Sequence, residues 1–576
     1  VGINGDYGLK QNFHTRIFSQ EGVIWPTMNQ VFIESILKYQ DQDFLWDYST
    51  GKLRQFTYEE IYSSAIKLEA YLNKTLKQQK RLCLLVGYDS AEWAITLLGL
   101  LVGGYPVVIL SPDGLNQEKV SQAIKEFSPA MLFCTHALNE QYNWQDLKHI
   151  SLDYNTPHYL FDFLEEKPNQ ATYIHPSDIA LIMPIEKENE TLYTMISHQN
   201  LTSQILLTSQ RVTFRETDYI SCADSFISKN VWVKIHNIIF TLFLPMLTGA
   251  KTIVANNSFT TNQKHNTTIF LGSTNSIKSF YRGIFVLFIK NRKRVGSYRF
   301  LLKTLQHLYK YAKHSLSMQL CLYFLKKALK IQNVRLCIGI GENLPTSIAN
   351  FFWKSRIEYW HGISCAETTG VFTLSAYTPK KYLSEMSVLE HVELEMVYQL
   401  RQLSGLITIK APFVFEGYYN NFTATSNVFT NSGYYKTGYE GKVVDKNILT
   451  HIEVSLPMIM DEETSIYISE TMHAINNMYQ QPSIDYVFIS PYYNETKTKV
   501  TGFHVFIYPN LVYFYEKTLE YMIENLIKLT LKINKKISYL KIDTIEVAYD
   551  AMEITSYPNK VTILPEQLCI DIKNMI

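Results

Sequence analysis

Apolar and polar positions along the first 130 residues switch between two spacings. After Phe56, the residues Ile61, Ile66, Leu68, Tyr71 and Leu72 recur at helical spacing. Thr57, followed three positions later by Glu60, supplies a capping-box start for that helix. Leu82 to Gly87 is a continuous apolar run of strand length, Ser90 to Gly103 reads as the next helix, and Pro106 to Ser111 as another strand. Strands alternating with amphipathic helices predict βαβ units on a parallel sheet. Ala94 to Leu110 is the most apolar stretch, but Gly103-Gly104 and then Pro106 split it into a helix end and a strand start, so it is too short to span a membrane.

The pattern changes further along. Ile179 to Met183 is an apolar strand, followed by Pro184 to Thr194 with Glu186, Glu188 and Glu190 and no glycine, which reads as a solvated acidic hairpin. Asn237 to Leu247 is expected as a core helix. Ile357, Tyr359 and Trp360 lead into Gly362 and the lone carboxylate Glu367, hemmed by Thr368, Thr369 and Gly370: a strand ending in a ligand loop. Tyr486 to Ile489, Val500 to Tyr508 and Thr544 to Tyr549 are strand-like, and Tyr513 to Leu531 is helical. The fold class expected is α/β: a large N-terminal domain of layered sheets and helices over 1–447, then a smaller α+β domain over 448–576.

Composition supports more than one domain, with 576 residues of which 46% are hydrophobic. The net charge is only +1, yet it is unevenly spread. No Asp or Glu lies between Asp224 and Glu342, an interval holding 18 Lys and Arg, which leaves the rest of the chain at about −17. Within it, Lys290, Arg292, Lys293, Arg294 and Arg299 are interleaved with aromatic and aliphatic residues. That profile suits helices lying on an anionic membrane surface or a face docked on an acidic protein, so the partners expected through 225–341 are one or both of these. Nucleic acid is not expected, since no nucleic-acid motif accompanies the charge. The seven cysteines are scattered without CxxC spacing, which favours reduced thiols and a reducing intracellular compartment. The chain opens at Val1 without methionine, leaving a removed presequence, a mitochondrial one included, open. GxSxG, HExxH, GxGxxG and repeat signatures are absent.

Several stretches carry a resemblance. FFWKSRIEYWHGISCAETTG (Phe351 to Gly370) is similar, without a gap, to the "FFxxxGIPxxEGYGxTETxG" segment of the adenylate-forming superfamily, in its long-chain fatty acyl-CoA synthetase branch. Ile196 to Leu201 resembles "LTHRNL", Arg335 to Pro345 "RFAVSGGAPLP", Leu403 to Asn421 "GEIxVRGPxVMxGYY", Gly433 to Gly441 "GWLHTGDIG" and Glu553 to Lys560 "ELTPTxKLxR". The likeness runs from about Thr57 to about Pro565, with a basic helical insertion at about 276–331. It implies that Glu367 holds the Mg²⁺ of MgATP, that Thr368 and Gly341 belong to the same ATP/Mg site, and that Lys560, reached by a one-residue insertion, stabilises the acyl-phosphate oxyanion.

The departures from the family pattern cluster on ligand positions. The phosphate loop "YTSGTTGxPKG" is replaced by the acidic hairpin, the adenine tyrosine by Ile363, the threonine before the glutamate by Ala366 and the ribose aspartate by Tyr439. The family's active-site histidine falls near Ser228, and no Lys or Arg lies between Lys446 and Lys497 to serve as the hinge arginine. Strand and turn positions persist beside them. The expectation is a pseudoenzyme of fatty acid metabolism: an acyl-CoA synthetase-like scaffold, without cofactor, acting as a structural or membrane-docked subunit. One alternative is a divergent fatty acid ligase using MgATP and CoA through Glu367 and Lys560. A second is a non-catalytic binder of a fatty acyl ligand.

Overall fold

The structure, a computed structural model, describes most of residues 25–454 and several backbone strands on either side. The larger segments outside the description are 165–171, 227–232, 255–266, 282–325, 379–384, 399–404 and most of the chain after 454. Lys290, Arg292, Lys293, Arg294, Arg299 and Lys560 lie in them, as do the helices expected over the insertion and over 513–531.

Local signals set the first elements. Thr57 Oγ1 accepts the amide of Glu60 at 3.2 Å and Glu60 returns a carboxylate to the amide of Thr57 at 2.9 Å, starting the helix Tyr58–Thr75. Ser90 caps Ala91–Gly103, every residue of which is buried. That helix stops because Gly104 turns left-handed at φ +67°, where a side chain would strain the backbone and press on Ile174.

Two large sheets organise the described chain. In the seven-stranded one, Val107–Leu110, Cys83–Val86, Met131–Cys134 and His149–Ser151 run parallel, and Ile179–Lys187 joins Val107–Leu110 in parallel. Glu190–Ser197 and Gly417–Tyr418 extend its edge antiparallel. The eight-stranded sheet carries six parallel strands, Glu358–Cys365, Leu336–Ile340, Ile269–Ser273, Tyr219–Cys222, Lys251–Val254 and Asp43–Asp47, with an antiparallel edge at each end, Gly370–Ala376 and Arg54–Thr57.

Strand periodicity decides which side chains meet. Leu85, Ile109 and Phe133 face one way from the first sheet, Leu45, Ile220 and Ile338 from the second. Between them lie Leu68, Trp93, Leu201, Ile205 and Phe240 of a shared helical layer, so one apolar cluster joins both sheets. The opposite faces have their own cover: Leu84, Val86 and Leu132 pack under Val120 and Phe127, and Phe270, Cys337 and Tyr359 under Ile348 and Phe352. Tyr359 passes close to Gly339, a position where any Cβ would collide with its hydroxyl.

One feature departs from sequence expectation. The core helix runs over 235–248 but contains a π turn, Ile239–Phe243, which the apolar pattern does not announce. Residues on both sides of position 447 pair as strands, Tyr435–Asp445 with Ile448–Val454, in a five-stranded antiparallel sheet that also holds Gly405–Lys410, Glu393–Val397 and Met386–Ser387. Ile484–Tyr493, Val500–Pro509 and Ile542–Val547 form a separate three-stranded sheet. Among the described residues no helix is long and apolar enough to cross a membrane.

Candidate functional site

The Glu358–Cys365 strand ends in a single 3₁₀ turn, Ala366–Thr368, before the chain doubles back as Gly370–Ala376. Glu367 sits at the centre of that turn and is only 4% exposed. Its Oε1 accepts the hydroxyl of Tyr418 at 2.8 Å, and its carbonyl accepts the amide of Phe415 at 2.8 Å. Burial, followed by the Glu367 charge, pushes the Tyr418 hydroxyl far above the usual tyrosine range, so it remains a donor to the carboxylate. Thr368 is fully buried and spends its hydroxyl inside the turn, donating to the carbonyls of Gly370 at 2.7 Å and Cys365 at 3.1 Å. The floor is aromatic: Phe415 packs against Tyr418, Phe429 and Tyr435 with ring centroids 4.9, 5.8 and 5.7 Å apart. Burial, reinforced by Glu367, pushes the nearby Cys365 thiol up to about 12, so it is neutral.

Beside the turn stands the acidic hairpin. Ile179–Lys187 and Glu190–Ser197 pair antiparallel from Leu181↔Ile196 outward to Glu186↔Thr191 and Lys187↔Glu190. The two strands therefore zip almost to the tip, and the main-chain donors between them serve the ladder. Glu186 and Glu190 are exposed. Lys119 reaches Glu186 at 3.3 Å, a surface pair of small worth.

Residues Pro412 to Tyr419 stitch hairpin and turn together. Asn200 Nδ2 donates to the carbonyls of Pro412 and Val414, both at 2.9 Å. The amide of Glu416 donates to Met195 O at 2.9 Å and that of Tyr419 to Tyr193 O at 2.8 Å, while the amide of Phe415 holds the Glu367 carbonyl.

Three other positions singled out in the sequence surround this centre. Gly341 has φ +113°; its amide donates to Gly362 O at 2.9 Å and its carbonyl meets His361 Nε2 at 3.0 Å. Ile363 is buried. Tyr439 packs on the fully buried Phe372, with ring centroids 6.0 Å apart. Glu367, Thr368 and Gly341 thus share the ends of adjacent strands.

No family model matches the chain. A stretch of 206 residues is 25% identical to the long-chain-fatty-acid–CoA ligase ACSBG2 of Gallus gallus, covering 31% of this chain and 26% of that protein. The chain therefore spans about a quarter of the length of the curated relative it matches. Among solved structures, the anthranilate CoA ligase AuaEII in complex with anthranoyl-AMP superposes with a TM-score of 0.66 at 15% identity, covering 96% of this chain and 98% of that one. ATP-bound MatB from Rhodopseudomonas palustris gives 0.66 at 14%, covering 95% and 99%. The o-succinylbenzoate CoA synthetase MenE from Bacillus subtilis, in complex with its acyl-adenylate intermediate, gives 0.64 at 12%, covering 93% and 99%.

The chain has the adenylate-forming CoA-ligase fold. In that frame, two histidines that sequence reasoning did not use stand out. The expected histidine position, near Ser228, lies outside the described residues, but the helix that follows brings His236 Nδ1 to 3.3 Å from Ser364 Oγ, three positions before Glu367. Burial pushes His236 down to about 4, against the pull of Asp224, so it is neutral at pH 7. Asp224 is itself caged: it accepts the amide of Ser273 at 2.9 Å, the hydroxyls of Ser273 and Ser276 at 2.8 and 2.5 Å, and Asn237 Nδ2 at 3.1 Å. Burial works to raise its pKa, yet Lys234 and these bonds outweigh it and hold the carboxyl below its ordinary value. The second, His198, opens the helix after the hairpin, and its Nδ1 accepts the amide of Met28 at 3.4 Å. No local pattern announces either contact, since the partners are 128 and 170 positions apart.

Proposed function

We propose that this chain is a catalytically retired acyl-CoA synthetase-like protein that serves as a structural or membrane-docked interaction subunit. The observation that carries the reading is the paired acidic hairpin. A triphosphate needs free backbone N–H groups and nearby cations. Here the segment in the phosphate-loop position is a glycine-free β hairpin that commits its inward-facing donors to the ladder and presents Glu186 and Glu190. One carboxylate about 4 Å from a phosphate charge costs about 4 kcal/mol at an effective dielectric of 20. The Tyr418 bond on Glu367 and the Tyr439 ring at the ribose position point the same way.

A divergent ligase is the second reading, favoured by the retention of Glu367 and by the 25% identity over 206 residues to a protein named as a long-chain fatty acid ligase. In that case Glu367 would hold Mg²⁺, Lys560 the acyl carboxylate, and MgATP and CoA would be consumed. ATP–pyrophosphate exchange over a panel of fatty acids, with MgATP calorimetry alongside, separates the two. Retirement predicts background exchange and no binding heat; exchange that disappears in Glu367→Gln would establish the ligase.

A further inference from the structure

Residues 152–163 fold back over the outer edge of the seven-stranded sheet, whose last strand is His149–Ser151. The amide of Leu152 donates inward to Cys134 O at 3.0 Å, and that of Ser151 outward to His158 O at 2.7 Å. Leu152 and Leu160 are buried and pin the two ends, and the Tyr159 hydroxyl donates to Glu92 at 2.7 Å. Between the pins, Asp153 to His158 forms a flap whose Tyr154 is 63% exposed. Asn155 and His158 hold φ of +60° and +59°, a backbone that asparagine tolerates and histidine adopts at a cost. The flap closes on a second histidine: the rings of His149 and His158 stand edge to face with centroids 5.0 Å apart. Asn139 Nδ2, which can only donate, lies 3.3 Å from His149 Nε2, so that nitrogen accepts with its lone pair.

We propose that His149 and His158 form an acid-operated latch: neutral, they let the flap lie on the sheet edge; protonated, they lift it and bare the outward amide of Ser151. In the protonated pair two cations face each other across 5.0 Å, and His149 loses its bond from Asn139. Burial, followed by the charges of His158 and His136, lowers the His149 pKa from its ordinary 6.5. The closed flap is therefore fully favoured above that value and progressively less as the pH falls below it. The acids on the packed elements are already engaged or turned to water. Glu140 pairs with His136 at 3.2 Å, Asp153 accepts the His136 amide at 2.7 Å, Glu92 is held by Arg54 and Tyr159, and Asp162 is exposed. Lys148, exposed beside His149, adds a like charge. Burial raises the Asp153 carboxyl, an effect of opposite sign that substitution of either histidine leaves in place. The latch does not depend on the proposed loss of catalysis.

Residue-resolved hydrogen exchange on the full chain, corrected for the intrinsic effect of pH, tests it at pH about 7.5 and about 5.5, on either side of the imidazole range. Protection of the Ser151 amide is expected to fall at least about fourfold at the lower pH, the ratio set by two unit charges 5.0 Å apart in water. Leu152, bonded into the sheet, is expected to keep its protection. His158→Asn suits the left-handed backbone, and His149→Gln can still accept from Asn139. Each is expected to hold the Ser151 change below about twofold, because only one member of the charged pair remains. A Ser151 amide indifferent to pH, a fall that persists in either variant, or a fall shared equally by Leu152, which marks general acid unfolding, overturns the latch.

Discussion

His198 shows how a single buried side chain sets a pH limit on the fold. It has no exposed surface, its Nδ1 accepts the Met28 amide, and the proton therefore resides on Nε2, for which no acceptor lies within reach among the described residues. Burial pushes its pKa down to about 4, whereas in the unfolded chain it titrates at about 6.5. The unfolded state thus binds the proton first. The stabilising contribution of the neutral ring is complete above pH about 6.5 and is lost as the pH falls toward about 4, a total of about 3 kcal/mol. Urea midpoints measured between pH about 7.5 and about 4.5 should fall less steeply for His198→Asn, whose side-chain oxygen can accept the same amide, than for the parent. Identical slopes would mean that the ring is hydrated in the native state. His236 has the same depressed value and supplies the slope that persists in the variant.

At the scale of elements, the acidic hairpin makes the sharpest claim. If its amides serve the ladder, hydrogen exchange across 181–196 is slow, and adding MgATP leaves it unchanged. Fast exchange, or protection that appears only with nucleotide, would contradict the paired geometry. Much of this architecture was legible from sequence for identifiable reasons. Thr57 with Glu60, Gly103-Gly104 before Pro106, and the acidic run without glycine are local signals, and each produced the expected element. Contacts between distant segments left no such trace. Tyr418 on Glu367 spans 51 positions and Ser364 on His236 spans 128, so neither could be read from spacing. The π turn at Ile239–Phe243 was equally silent, because an extra residue inside a uniformly apolar helix leaves the composition unchanged.

For the whole molecule, charge distribution matters more than its sum. The chain is nearly neutral, with a pI of about 7.7, yet 18 cations fall in one acid-free interval. Among the described residues, Arg335 pairs with Asp218 and Lys234 lies near Asp224. The intact protein should therefore bind both cation- and anion-exchange resins near neutral pH at low salt, and leave both as screening shortens to about 8 Å. Passing freely through either resin would show that the surfaces neutralise one another. Pro412 to Tyr419 gives this layout a mechanical side. Because that short piece is fastened by main-chain hydrogen bonds to both the hairpin and the Glu367 carbonyl, the two behave as one plate rather than two hinged panels. A load applied at the outer end of the hairpin is delivered to the turn, so whatever grips the outside of this protein also tugs on Glu367.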